Sequence, residues 1–159
     1  MAIPSIIQTL ADLGVELPQH PPAVAAYIPV RIDGTLAYVS GQLPFVDRKL
    51  PQSGLVGVEV SLEQAQSLAR ICAINALAAL DYYAGGLDNI AGIVRLGVFV
   101  ACDSTFTDHP KVGNGASELF QQVFGEAGRH ARAAVGCSSL PLGAPVEVEV
   151  LARLKSAPH

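Results

Sequence analysis

Charge is scarce in this chain. Asp, Glu, Lys and Arg make up 15% of its 159 residues while half are apolar, against about 25% charged in ordinary soluble proteins. So apolar a chain offsets the entropy of ordering itself, which excludes disorder. Its length suits one domain whose core closes without a disulfide or metal staple. Basic residues are the scarcer sign, ten against fourteen acidic, giving a net charge of −4 and a pI near 5.4. A nucleic-acid groove needs clustered Lys and Arg, so the balance argues against RNA or DNA as the main partner, and no nucleic-acid partner is expected. So few charges also solvate a small monomer poorly. The expected remedy is an apolar sheet face hidden against further copies of the chain.

Other absences narrow the class. The first basic residue is Arg31, so the positive start of a secretory signal is missing and the cytoplasm is the expected location. No run approaches the roughly 20 uninterrupted apolar residues of a spanning helix. The richest, Ile71 to Leu80, is broken by Asn75 and followed by Asp81, so no membrane partner is expected. Cys72, Cys102 and Cys137 are odd in number and far apart; they read as buried hydrophobes in a reducing compartment, not as a disulfide framework or zinc site. His20, His109, His130 and His159 lack ligand-like spacing, so no metal is expected. Glycine-rich phosphate loops are missing too.

What is present reads as mixed α and β. Residues 3–14 put Ile3, Ile6, Ile7, Leu10 and Leu13 on one helical stripe ending at Gly14, and Pro18 to Pro22 breaks regular structure. Two short strands follow, Tyr27–Ile32 and Leu36–Ser40, with Asp33-Gly34 as the expected hairpin turn. Gly41 to Gly57 reads as a long loop ending in an extended segment. Ser61 and Gln64 form a capping box opening the longest helix, whose stripe (Leu62, Ala65, Leu68/Ala69, Cys72, Ala76, Ala79/Leu80, Tyr83) runs to Gly85-Gly86. Ile93–Cys102 is apolar on both faces and reads as a central strand. A second helix spans 108–124, with Asp108 as N-cap, Pro110 in the first turn and Leu119, Phe120 and Val123 inward. Ala131–Cys137 and Pro145–Leu154 are the last strands. The implied fold is α+β, one mixed sheet with the two main helices on one face and an N-terminal helix added. The other face then needs covering, and association covers it. Residues 1–26 are expected as an N-terminal extension and 27–155 as the domain.

The last strand alternates strictly, Val146, Val148 and Val150 one way and Glu147 and Glu149 the other. With the valines under the helices, both carboxylates lie on the face expected between subunits, where at least one needs a partner or a wet pocket. Arg132 opens the preceding strand; if the two strands pair, its planar fork approaches that acidic rim and suits a carboxylate ligand. Ser40-Gly41-Gln42 ends a strand, its glycine permitting close approach of a ligand and its serine offering a hydroxyl without an adjacent His base. Gly113-Asn114-Gly115 puts two glycines inside a helix, where a close backbone contact accounts for them as well as a site does.

Several spaced elements agree with one family. Tyr27 stands thirteen residues before the SGQ of LAYVSGQLP, VGN lies in the second helix, and ARAAVGCSSLPLGAPVEVEV carries Arg132, Pro141 nine later and Glu147 fifteen later. From about Tyr27 to Leu154 the chain resembles the Rid (reactive intermediate deaminase, YjgF-type) family, formerly the endoribonuclease L-PSP family. The resemblance implies a chorismate-mutase-like domain forming homotrimers with clefts between subunits. It implies hydrolysis of 2-imino and 2-enamine acids to 2-keto acids and ammonia, without a cofactor. By the same resemblance Arg132 clamps the substrate carboxylate and Glu147 positions or activates water. Tyr27 and Ser40 line the cleft, Gly41 and Asn114 shape it, and the N–H of Ala134 faces the ligand. The chain departs from the family pattern at His130, commonly Pro, and at Ala134, often Cys. The segment from Phe106 to Asn114 is longer, and residues 1–26 are added. A non-catalytic binding trimer on the same scaffold is the alternative, and a ribonuclease a weaker one.

Overall fold

The computed structural model describes residues 5–19 and 26–158. Helix α1 is Ile6–Asp12, opened by Ser5, whose Oγ accepts from Gln8 N. Strands β1 (Val30–Asp33) and β2 (Leu36–Gln42) precede the long helix α2 (Leu62–Tyr83). Strand β3 (Ile90–Ala101), helix α3 (His109–Phe124), strand β4 (Ala131–Cys137) and strand β5 (Val146–Leu154) complete the chain. The sheet runs β1-β2-β5-β3-β4, antiparallel except for the parallel pair β3 and β4. The α+β reading therefore stands.

Sequence patterns account for these elements. The Ser61 capping box forms from both sides, Gln64 N to Ser61 Oγ and Ser61 N to Gln64 Oε1, and α2 buries Ala65, Leu68, Ala69, Cys72, Ala76 and Leu80. The many alanines let α2 lie close over Val146, Val148 and Val150, which are all buried; each such valine contributes about 1.5 kcal/mol or more. Helix α3 lies beside α2, where a Cβ at Gly115 would collide with the Gln66 carbonyl. That contact is why the helix interior carries this glycine.

Several expectations need correction. The hairpin turn is Gly34-Thr35, because Asp33 pairs with Leu36; glycine takes the first central position at φ 59°, as a II′ turn requires. Strand β1 starts at Val30, after Pro29, which lacks an N–H. The expected 41–57 loop starts later, because β2 runs on through Gly41 and Gln42, which pairs with Val148; residues 43–57 hold only isolated bridges, one joining Val56 to Cys102. Asp108 occupies the N-cap of α3 without a side-chain cap bond and pairs with Lys111 at 3.1 Å. On α1, Leu10 is buried while Ile7, like Leu13 just after the helix, is exposed, and Ile3, like Pro21 and Pro22, lies outside the described residues. Most consequentially, β4 and β5 do not pair. Helix α3 carries the chain across so that β4 lies parallel to β3 at the sheet edge, and β3 separates β4 from β5.

One sheet face carries α2 and α3. The other is bare within the chain: Tyr38 is 46% and Val135 47% exposed on it.

Candidate active site: two half-sites on opposite faces

Register decides which nominated residues can meet. On β5, Glu147 pairs with Phe99 of β3 and shares the bare face with Glu149. On β4, Arg132 pairs with Leu96, which is fully buried under the helices. Cross-strand partners share a face, and residues three apart in a strand lie on opposite faces. Arg132 and Glu147 of one chain therefore sit on opposite sides of the sheet. The expectation that the guanidinium reaches the acidic rim through paired strands fails, because β3 intervenes and α3 claims the Arg132 side.

Around Arg132 the structure builds a cradle. Nη1 donates to Asn114 Oδ1 and to Ser117 Oγ, and Nη2 to the Pro110 carbonyl, each at 3.0 Å. Of the five N–H donors on a guanidinium, Nε–H and one on Nη2 then have no acceptor among the described residues. Gly113 makes the approach possible, since a Cβ there would lie 3.0 Å from Nη1. Ala134 follows Arg132 on the same face of β4, partly buried against the core. Ser117 escaped the sequence reading. It stands three residues after Asn114, one turn along the same helix face, and that spacing is the signal that finds it.

Beside the cradle, His130 is held on one side only. Its Nδ1 lies 3.0 Å from the Ala131 carbonyl and its ring meets Phe120 edge-on, while Nε2 is buried without a partner. Burial pushes the imidazole pKa down, an effect partly offset by the Ala131 carbonyl and reinforced by Arg132. The unfolded chain thus takes up a proton at about pH 6.5 that the folded chain refuses until lower pH. Stability is full above about pH 6.5 and falls as pH drops from there toward the lowered folded value. Urea midpoints measured between about pH 8 and pH 5 should show this slope, and His130→Asn should flatten it.

The bare face holds the remaining nominated side chains. Glu147 lies against the backbone of Gly41, so closely that a Cβ at Gly41 would collide with Oε1. Ser40 Oγ donates to the Ile28 carbonyl at 2.9 Å, which ties the 26–29 segment to the end of β2 and places Tyr27, 62% exposed, beside it. Glu149 pairs with Arg95 at 3.0 Å, whereas Glu147 has no hydrogen-bond or ion-pair partner among the described residues. Burial, then the like charge of Glu149, pushes the Glu147 pKa up. A carboxylate left unpaired at a half-buried position is costly, and its raised pKa eases protonation relative to an ordinary glutamate.

The nominated residues therefore sort into two groups, Asn114, Arg132 and Ala134 at the β4 edge and Ser40, Gly41 and Glu147 on the bare face, with Tyr27 exposed ahead of β1 in the segment that Ser40 ties down. A cavity of about 520 Å³ lined by Pro18, Phe45, Arg48 and Asn75 belongs to neither. Among the described residues no group of three or more His, Cys, Asp or Glu side chains is placed to hold a metal ion. No helix among them is long and apolar enough to cross a membrane.

Known proteins share this arrangement of elements. The family model for YjgF/chorismate mutase-like proteins matches residues 8–154, a span starting before the resemblance noted at Tyr27. Protein TCP17 of Trypanosoma cruzi is 38% identical over 152 residues, 95% of each chain. An Agrobacterium tumefaciens protein of unknown function is 43% identical, with TM-score 0.86 over 94% of this chain and 91% of its own. A Shewanella oneidensis structure is 32% identical, with TM-score 0.91 over 95% of this chain and 100% of its own.

Proposed function

Because the chain belongs to the YjgF/chorismate mutase-like family, we propose that it hydrolyses reactive 2-imino and 2-enamine acids to 2-keto acids and ammonia. The site is composite: the Arg132 edge of one copy closes over the Glu147 face of the next in a homotrimer, located in the cytoplasm. The observation that carries this reading is Glu147, unpaired and half-buried on an uncovered sheet face. Lone carboxylates with raised pKa are what acid–base chemistry near neutral pH uses.

The chemistry needs little beyond orientation. The two free N–H donors of Arg132 hold the substrate carboxylate, while Asn114 and Ser117 keep the guanidinium from turning. Glu147 takes a proton from water as the water oxygen bonds to the imine carbon and the C=N electron pair moves to nitrogen. The same carboxyl returns that proton to nitrogen, giving the carbinolamine, and then carries the remaining hydroxyl proton from oxygen to nitrogen as the C=O bond forms, the C–N bond breaks and ammonia leaves. Fixing water against an already electrophilic carbon converts a bimolecular encounter into a local step. Ser40 and Tyr27 edge the hollow, and the Ala134 N–H remains a donor toward the ligand.

Gly41 offers a sharp check. Its Cβ clash falls on the far end of a flexible side chain, so Gly41→Ala should cost less than about 1 kcal/mol in stability while swinging Glu147 aside. Ammonia release should fall at least about tenfold with an unchanged melting temperature. The overall test is ammonia release from 2-imino acids generated by an amino-acid oxidase, with and without the protein. Carboxylate-ligand binding without faster release would favour the non-catalytic binding trimer instead. The ribonuclease reading is the weaker one, because Lys and Arg number only ten against fourteen Asp and Glu in the whole chain.

A further inference from the structure

Cys102 and His109, seven residues apart, meet at the carboxyl ends of the parallel strands β3 and β4, with Sγ 3.4 Å from Nε2. Crevices at the carboxyl ends of parallel strands joined through a helix are where such units take ligands. Here the crevice is an open cavity of about 390 Å³, lined by Cys102, Phe106, His109, Gly136, Cys137 and Ser138 together with Asp103 and Ser104. Gly136 lets the pair form: a Cβ there would lie 2.6 Å from Nε2 and 2.8 Å from Sγ. Phe106 meets the imidazole edge-on, ring centroids 5.3 Å apart, and fixes its plane. None of the residues assigned above to imine hydrolysis lines this cavity.

We infer that Cys102 and His109 are a nucleophile–base pair that captures small uncharged α,β-unsaturated carbonyl compounds as thioether adducts. A thiol with an imidazole in hydrogen-bond reach is the arrangement by which a weak nucleophile is activated. Sγ bonds to the β-carbon while Nε2 takes the thiol proton. The alkene electron pair moves into the enolate, and the imidazolium returns the proton to the α-carbon. The step balances without oxidant or cofactor. The Phe106 ring gives an apolar wall for the alkene. Asp103 is the one charged residue lining the cavity, and its carboxylate turns anions away. Burial, then Asp103, pushes the Cys102 thiol up, so the sulfur rests protonated and depends on His109 to lose its proton during attack. Cys72 is fully buried, and Cys137 is likewise pushed up by burial, without an imidazole beside it.

The test treats the folded protein with one equivalent of N-ethylmaleimide at neutral pH and maps adducts by peptide mass spectrometry over time. Cys102 should be modified before Cys137, with Cys72 unlabelled. His109→Gln should slow Cys102 at least about tenfold and leave Cys137 within about twofold. Gly136→Ala keeps the imidazole but pushes it from the sulfur, and should slow Cys102 likewise. A maleimide bearing a carboxylate arm should lag behind N-ethylmaleimide by more than it does with a free thiol. Melting curves confirm that each variant is folded. Prior labelling of Cys137, or a Cys102 rate indifferent to both His109→Gln and Gly136→Ala, overturns the assignment.

Discussion

Arg132→Lys should fold and assemble as the parent does, yet release ammonia from a 2-imino acid at least about a hundredfold more slowly. Lysine keeps the charge but not the fork. The native guanidinium spends donors on Asn114, Ser117 and Pro110 and still has Nε–H and one Nη2–H to offer. A single ammonium with three donors cannot hold those acceptors and clamp a carboxylate in one plane. A reacting carbon displaced by about 1 Å accounts for a loss of that size. The defect should appear in both kcat and KM, since orientation and binding are lost together. Parental kcat/KM in Arg132→Lys would remove Arg132 from the reaction.

Glu147→Gln should abolish nearly all turnover, by about 10²–10⁴-fold, the usual worth of a positioned acid–base group. Its effect on stability has the opposite sign. Burial and Glu149 raise the folded pKa of Glu147 above the usual 4.5, so between those values the folded chain binds a proton that the unfolded chain does not. The native contribution is therefore full below about pH 4.5 and lost as pH rises through the folded pKa. Glutamine stays neutral throughout, and Glu147→Gln should have the higher urea midpoint at neutral pH, with the difference closing below about pH 4.5. Together the two readouts separate a functional carboxylate from a structural one. A structural Glu147 would lose stability on replacement and leave turnover alone.

Local chemistry made the fold legible. The Ser61–Gln64 box, the alanine-rich stripe of α2 and the strict alternation of β5 each depend on neighbours in sequence, and each appears where the pattern puts it. Strand order was not legible, because nothing local tells β4 to lie beside β3. The parallel pairing follows from how α3 packs against α2, through Gly115 on Gln66, and from the crossover that this packing imposes. The same contact decided the fate of Arg132: the sequence gives its chemistry, while the crossover chooses its face. Gly113 and Ser117 are the residues that hold it there, one seen only as an odd helical glycine and the other not seen at all. Cys102 and His109 likewise carry no joint signal in the sequence, since only the turn after the end of β3 brings them together.

Mixing two defective proteins tests the composite site most directly. Arg132→Lys carries an intact Glu147, and Glu147→Gln an intact Arg132. Dissociated, mixed in equal amounts and reassembled as trimers, about three-quarters of the assemblies contain both chains, and each has one sound pairing of Arg132 with a neighbour's Glu147. Ammonia release should return to about a quarter of the parental rate, well above either variant alone. Release that stays at the level of the separate variants, in trimers shown to contain both chains, would contradict a site shared between subunits.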